Sequence, residues 1–151
     1  MSDDGNANGG YVFDTEAIIA FLYNEPGHET VAKLLDDVFT DEADGFLTET
    51  NASEVFYLVA RFEGVDEKPT DASFREADRD LRALERGGLR IESADWRLAA
   101  EVKAHGNLSL ADACAVALAH ERGGTLIAGA DDDFDELPVD VDVSRFREHG
   151  V

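Results

Sequence analysis

The chain has one cysteine, three lysines and no apolar run near the roughly 20 residues that span a bilayer. Each scarcity excludes something. The lone Cys114 cannot form an intramolecular disulfide, and a thiol site needs partners, so the expected compartment is the reducing cytoplasm. No membrane-spanning helix is expected. The opening residues, Met1 to Gly10, are polar, acidic and glycine-rich. They have neither the basic start nor the apolar core of a secretion signal. Residues 1–9 therefore read as a flexible acidic tail, followed by one domain over residues 10–151.

Positive charge is also scarce. There are 34 acidic residues against 13 basic ones, a net charge of -21 at pH 7. Lysine is confined to Lys33, Lys68 and Lys103, and the other ten basic residues are arginines. Such self-repulsion destabilises a compact state unless ions screen it, and with so little lysine the pattern reads as the surface of a salt-adapted, halophilic protein. The hydrophobic fraction of 44% excludes global disorder. With 34 acids in 151 residues, carboxylates at any spacing arise by chance. An acid is informative only where apolar strand or helix residues surround it.

Periodicity supplies the framework. Tyr11-Val-Phe13 is a short β-prone segment ending at Asp14. Ile18, Phe21 and Leu22 recur at helical spacing until Pro26-Gly27, and Val31, Leu34, Leu35 and Val38 mark a second helix. Phe46 to Thr48 reads as a strand. Thr50 or Asn51 is placed to cap a third helix carrying Val55, Leu58, Val59 and Phe62. A fourth helix runs from about Asp71 to Arg86 and ends at Gly87-Gly88. Leu89 to Ile91 is a strand. A helix with Trp96, Ala99, Ala100 and Val102 stops near Gly106. Ser109 opens a strongly apolar helix, Ala111 to His120, and strands follow at Thr125 to Ala128 and Val139 to Val143. Trp96 and Cys114 read as core residues. His28, His105, His120 and His149 show no metal or catalytic spacing. Alternating strands and helices predict an α/β fold with a mostly parallel sheet covered on both faces. Ligands of such sheets sit beyond the carboxyl ends of the strands.

Acids at four places in the chain are candidates, the last of them equally readable as an acidic surface turn. Asp14 stands where a strand becomes a helix, as a cap or as a site acid. Glu54 lies one turn into an apolar helix, where the helix dipole alone would also favour it. Asp112 is spaced from Ser109 as a capping pair, yet residues 113 to 119 carry no charge, and an acid beside a buried helix is costly unless something binds it. Asp131 and Asp133 follow a strand in Ala130-Asp-Asp-Asp-Phe134. Carboxylates packed together cannot all ionise without a cation, and hard cations such as Mg²⁺ and Mn²⁺ take carboxylate oxygens.

Val12-Phe-Asp14-Thr15, Asn51-Ala-Ser-Glu54-Val-Phe-Tyr57, Leu110-Ala-Asp112-Ala and Ala130-Asp131-Asp-Asp-Phe134 together resemble the four motifs of the PIN-domain family, and especially its VapC-type ribonuclease toxins. The likeness runs from about Tyr11 to Val143. It implies a three-layer α/β/α sandwich, Mg²⁺- or Mn²⁺-dependent cleavage of RNA, dimerisation, and inhibition by a small antitoxin protein. By motif position, Asp14, Glu54, Asp112 and Asp131 match the metal-binding, catalytic acids. Two positions depart from the pattern. Gly129 stands where the family usually has Thr or Ser, which leaves Asp133 as a second candidate for the fourth acid. Glu16 replaces a smaller polar residue and adds a ligand or a repelling charge.

One basic feature stands out. Arg75, Arg79, Arg82 and Arg86 recur at four, three and four residues and share a helix face, placed to meet RNA phosphates or an acidic partner, or to pair with Glu76, Asp78 and Glu85. Two other functions stay open on the sequence: a PIN nuclease of RNA maturation, and a non-catalytic acidic α/β interaction domain.

Overall fold

The structure is a computed structural model that describes residues 9–129 and 134–147. Its elements are β1 (Tyr11–Phe13), α1 (Thr15–Tyr23), α2 (His28–Phe39), β2 (Gly45–Thr48), α3 (Glu49–Phe62), α4 (Asp71–Gly87), β3 (Arg90–Glu92), α5 (Trp96–His105), α6 (Leu110–Arg122), β4 (Thr125–Ala128) and β5 (Asp142–Arg145). The strands form one sheet in the order β3-β2-β1-β4-β5, and every pairing is parallel. The expected tail lies outside the described residues, apart from Gly9.

Alternation along the strands builds the three layers. Tyr11, Phe13, Leu47 and Ile127 face a core with α1 to α4, which includes Ile18, Leu35, Val55 and Leu81. Val12, Phe46, Leu126 and Ala128 face the other way, against Val102 of α5 and Val116 and Leu118 of α6. Helix α6 is buried from Ala113 to Ala119. A helix apolar all round belongs inside, and this one backs the central strands. No helix among the described residues is long and apolar enough to cross a membrane.

Three local expectations need correction. The cap of α3 is Thr48, not Thr50 or Asn51: its backbone is extended and its side chain accepts from Asn51 N. The last strand begins at Asp142 rather than Val139. Val139 and Val141 do pack on the second core, but only from Asp142 does the backbone reach the β4 ladder. Trp96 is 81% exposed. It is the first residue of α5, one turn ahead of the buried Ala99, and helix side chains lean towards the N-terminus. Its ring therefore projects past the packed part of the helix.

The strand order reverses at β1 and β4. Connections leave these neighbours in opposite directions, which opens a crevice beyond their carboxyl ends. The residues there are Asp14 and Gly129.

Candidate active site

Asp14 leaves the central strand with its N–H donated to Ile127 O at 3.1 Å. Its backbone is extended, as an N-cap requires, and its Oδ1 accepts from Ala17 N at 2.7 Å. The cap is real, and Ala17 N engages one of the two carboxylate oxygens. Asp14 is 2% exposed. Burial pushes its carboxyl up to about 8, and the charges of Asp112 and Glu16 add to this. The N–H groups of Ala17 and Gly129 act the other way and are outweighed. A carboxyl buried beside other acids is a poor anion until a cation joins it.

Asp112 enters from α6. Ser109 caps that helix, its hydroxyl accepting from Asp112 N at 3.1 Å. Glu54 enters from α3. Asp14, Glu54 and Asp112 line one cleft of about 270 Å³, together with Thr15, Glu16 and Ser109; Ile19, Leu58 and Phe134 supply its apolar wall. Acids 40 and 98 positions along the chain from Asp14 thus meet it at one sheet edge. Asp131 and Asp133 lie outside the described residues.

Sequence reasoning passed over the groups that hold Glu54. The Thr15 hydroxyl donates to Glu54 Oε1 at 2.6 Å. Asn51 Nδ2 donates to Thr15 Oγ1 at 3.0 Å, and Thr48 Oγ1 donates to Asn51 Oδ1 at 2.6 Å. Thr48 and Asn51 are fully buried, and Thr15 nearly so. Every donor in this chain points towards the carboxylate, which fixes the Asn51 amide and presents Glu54 as an acceptor. A signal was available: Asn51 sits three residues before Glu54, so both share a helix face.

The oxygen donor set suits Mg²⁺ or Mn²⁺ and not a softer metal. Among the described residues, no three His, Cys, Asp or Glu side chains are gathered into a complete cage. Mg²⁺ does not need one, because it is usually held through one or two carboxylates, waters and substrate phosphates. Asp14 and Asp112 fit that use.

The arginines form a second feature. Arg75, Arg79, Arg82 and Arg86 line a groove of about 650 Å³ with Asp78, floored by Phe56 and Phe74. The two rings stack at 5.9 Å and 18°. Arg79 pairs with Glu76 at 3.7 Å and Arg82 with Asp78 at 3.1 Å. Among the described residues, no ion pair engages Arg75 or Arg86. Phe56 and Glu54 are two residues apart on α3, about 200° round a helix of 3.6 residues per turn. The groove and the cleft therefore open on opposite sides of that helix.

Comparison with known proteins follows the same lines. The family model described as PIN domain matches residues 11–140. No curated protein matches the sequence. Among solved structures, the chain is similar to the Rickettsia felis VapBC2 complex bound to a DNA fragment from its promoter, with 12% identity and a TM-score of 0.66, covering 89% of this chain and 97% of that one. It is also similar to FitAB bound to the IR36 DNA fragment, at 22% identity and TM-score 0.61, over 90% of this chain and 94% of that one. FitAcB from Neisseria gonorrhoeae gives 18% identity and TM-score 0.60, over 90% and 97%. At these identities the likeness is one of fold.

Proposed function

The chain belongs to the PIN-domain family, and on that premise we propose that it is a metal-dependent endoribonuclease, the toxin of a VapBC-type toxin–antitoxin pair. PIN domains are nucleases. The observation that carries the reading is Asp14: a carboxyl 2% exposed, raised to about 8 by burial and by Asp112 and Glu16, at the switch point of the sheet. Such a group calls for a cation.

In this reading Asp14 and Asp112 hold a Mg²⁺ or Mn²⁺ ion, with Glu54 and either Asp131 or Asp133 completing the acidic set. When bound, the ion lowers the pKa of water and offsets charge on the scissile phosphate. The chain's own residues do the positioning. Ala17 N fixes the Asp14 carboxylate through one oxygen. Thr15, ordered by Asn51 and Thr48, holds Glu54 at the cleft, where its carboxylate can orient or deprotonate the attacking water. Ile19, Leu58 and Phe134 keep one wall of the cleft apolar.

The likeness to VapBC2 and FitAB complexes supports a partner protein. We assign the arginine groove to an acidic segment of such an antitoxin rather than to the scissile strand, because it opens away from the cleft. Its stacked Phe56 and Phe74 offer an apolar seat, and Arg75 and Arg86 offer charge. A homodimer acting in the cytoplasm is part of the same proposal, its stoichiometry readable by analytical ultracentrifugation. The test of activity is RNA cleavage with Mn²⁺ or with chelator. Cleavage that needs Mn²⁺ and disappears in Asp14→Asn supports the reading, and equal cleavage in all conditions overturns it.

A further inference from the structure

Glu16 lines the cleft and has no task in the mechanism above. Its position is tied to a missing side chain. A β-carbon at position 129 would lie 1.8 Å from Glu16 Oε1 and 2.7 Å from its Cδ. Glu16 in this placement and any side chain at 129 therefore exclude each other. The same Gly129 gives its N–H to the Asp14 carboxylate. Glu16 Oε1 thus lies against the backbone unit that serves the buried acid.

The second oxygen is anchored elsewhere. Glu16 Oε2 is 3.7 Å from Arg147 Nη1, and Arg147 Nη2 is 3.7 Å from Glu25 Oε1. The arginine side chain is 15% exposed, with its guanidinium carbon 4.6 Å from the Phe146 ring centroid. Gly27 at the α1–α2 turn permits this packing: its φ is +86°, and a β-carbon there would sit 2.4 Å from Phe146 O and 3.0 Å from Arg147 Cβ. Arg147 Nε and Nη2 are buried without a hydrogen bond among the described residues. A buried guanidinium between two acids is held by charge, not by ideal geometry. It offsets part of the repulsion that Glu16 meets from Asp14.

We propose that Glu16 is a further oxygen donor for the divalent cation, recruited into the space left by Gly129 and anchored by Arg147. This rests on the metal-nuclease reading above. A carboxylate ligand at the cleft mouth supplies a charge that a hydroxyl at 129 would not, and Arg147 keeps it extended when no cation is bound. Arg147 is a positioning residue, acting through Glu16.

The probe is Mn²⁺ alone, titrated calorimetrically into the full chain in molar KCl. Glu16→Gln keeps the side chain's size and removes its charge. Its Mn²⁺ Kd should rise roughly tenfold or more, as for groups that tune metal sites, while its melting temperature in chelator stays close to wild type. Arg147→Gln should raise the Kd by a smaller factor. Gly129→Ser should displace the flexible end of Glu16 from this placement and so raise the Mn²⁺ Kd, with little change in the chelated melting temperature. If Gly129→Ser fails to fold, Glu16→Gln still decides. Equal Mn²⁺ affinity in wild type and Glu16→Gln would overturn the inference and leave the Asp14 site standing. No Mn²⁺ binding by wild type would overturn both.

Discussion

Thr15 Oγ1 donates to Glu54 Oε1 at 2.6 Å, joining the start of the first helix to the third across 39 residues of sequence. The hydroxyl is itself held by Asn51 Nδ2 at 3.0 Å. Glu54 is therefore positioned by the fold and not by solvent.

This arrangement predicts two separable effects. Thr15→Val keeps the shape and removes the donor, so RNA cleavage should fall roughly tenfold, the usual scale for groups that orient metal-site acids. Asn51→Leu removes partners from both Thr15 and Thr48 inside the core. Leaving buried polar groups unpaired costs about 1–3 kcal/mol, and roughly 2–4 °C of melting temperature accompanies each kcal/mol in a chain of this size. Melting curves and cleavage rates of the two variants check this. Wild-type rates in Thr15→Val would show that Glu54 needs no such positioning.

The raised carboxyl of Asp14 gives a pH signature. Its folded-state value of about 8 lies above the ordinary 3.8, so between these limits the folded chain holds a proton that the unfolded chain releases. The stability it contributes is complete below pH 3.8 and is lost as pH rises through about 8. Asp14→Asn cannot titrate, and Asn still caps a helix. In chelator, the stability of wild type relative to Asp14→Asn should therefore decline from pH 5 to pH 8, with the variant at least as stable at the upper end. Paired melting curves across that range read the difference. A gap that does not change with pH would mean that Asp14 ionises as an ordinary exposed acid.

Salt and divalent metal should act separately. General repulsion at -21 is screened in molar KCl, where the Debye length is about 3 Å, so the chain should melt at a higher temperature in molar KCl than in dilute buffer. Acids lining one cleft are too close for mobile ions to relieve fully. Millimolar Mn²⁺ should still raise the melting temperature in molar KCl, by mass action on the folded state, and Asp14→Asn should lose most of that rise. Equal Mn²⁺ shifts in both proteins would place the ion elsewhere on the acidic surface.

The arginine groove makes a prediction about partners. Arg79→Ala with Arg82→Ala, or Phe74→Ala, should weaken binding of an acidic partner segment while leaving Mn²⁺-dependent cleavage of a short RNA near wild type. The charge pairs lost, Arg79 with Glu76 and Arg82 with Asp78, are exposed and worth little to stability. Fluorescence anisotropy with an acidic, aromatic-containing peptide measures the binding. Unchanged affinity in both variants would reduce the stripe to surface ion pairing.

What was legible in the sequence followed from periodicity. Strands of three or four residues bracketed by helices gave the parallel sheet, and the rule of strand ends led to Asp14 and to the 130–133 segment. Asp112 stood out because residues 113 to 119 beyond it carry no charge. The hydrogen-bond chain from Thr48 to Glu54 was hidden, because it depends on β2, α1 and α3 meeting, and Asn51 alone reads as a cap. Trp96 misled for the opposite reason: size argued for burial, but its place at the first position of α5 decided. The link between Glu16 and Gly129 lay beyond any pattern, since 113 residues separate two departures that meet in space.

The central claim is that Asp14 and Asp112 hold the cation that makes this chain cut RNA. The direct measurement is the rate of RNA cleavage at matched Mn²⁺ by wild type, Asp14→Asn and Asp112→Asn, each first shown to be folded by its circular dichroism and melting curve. The account predicts cleavage by wild type that stops in chelator, and a loss of at least about 100-fold in each variant, in line with the size of metal-ion contributions to hydrolysis. Wild-type rates in a folded Asp14→Asn, Asp112→Asn double variant would contradict it.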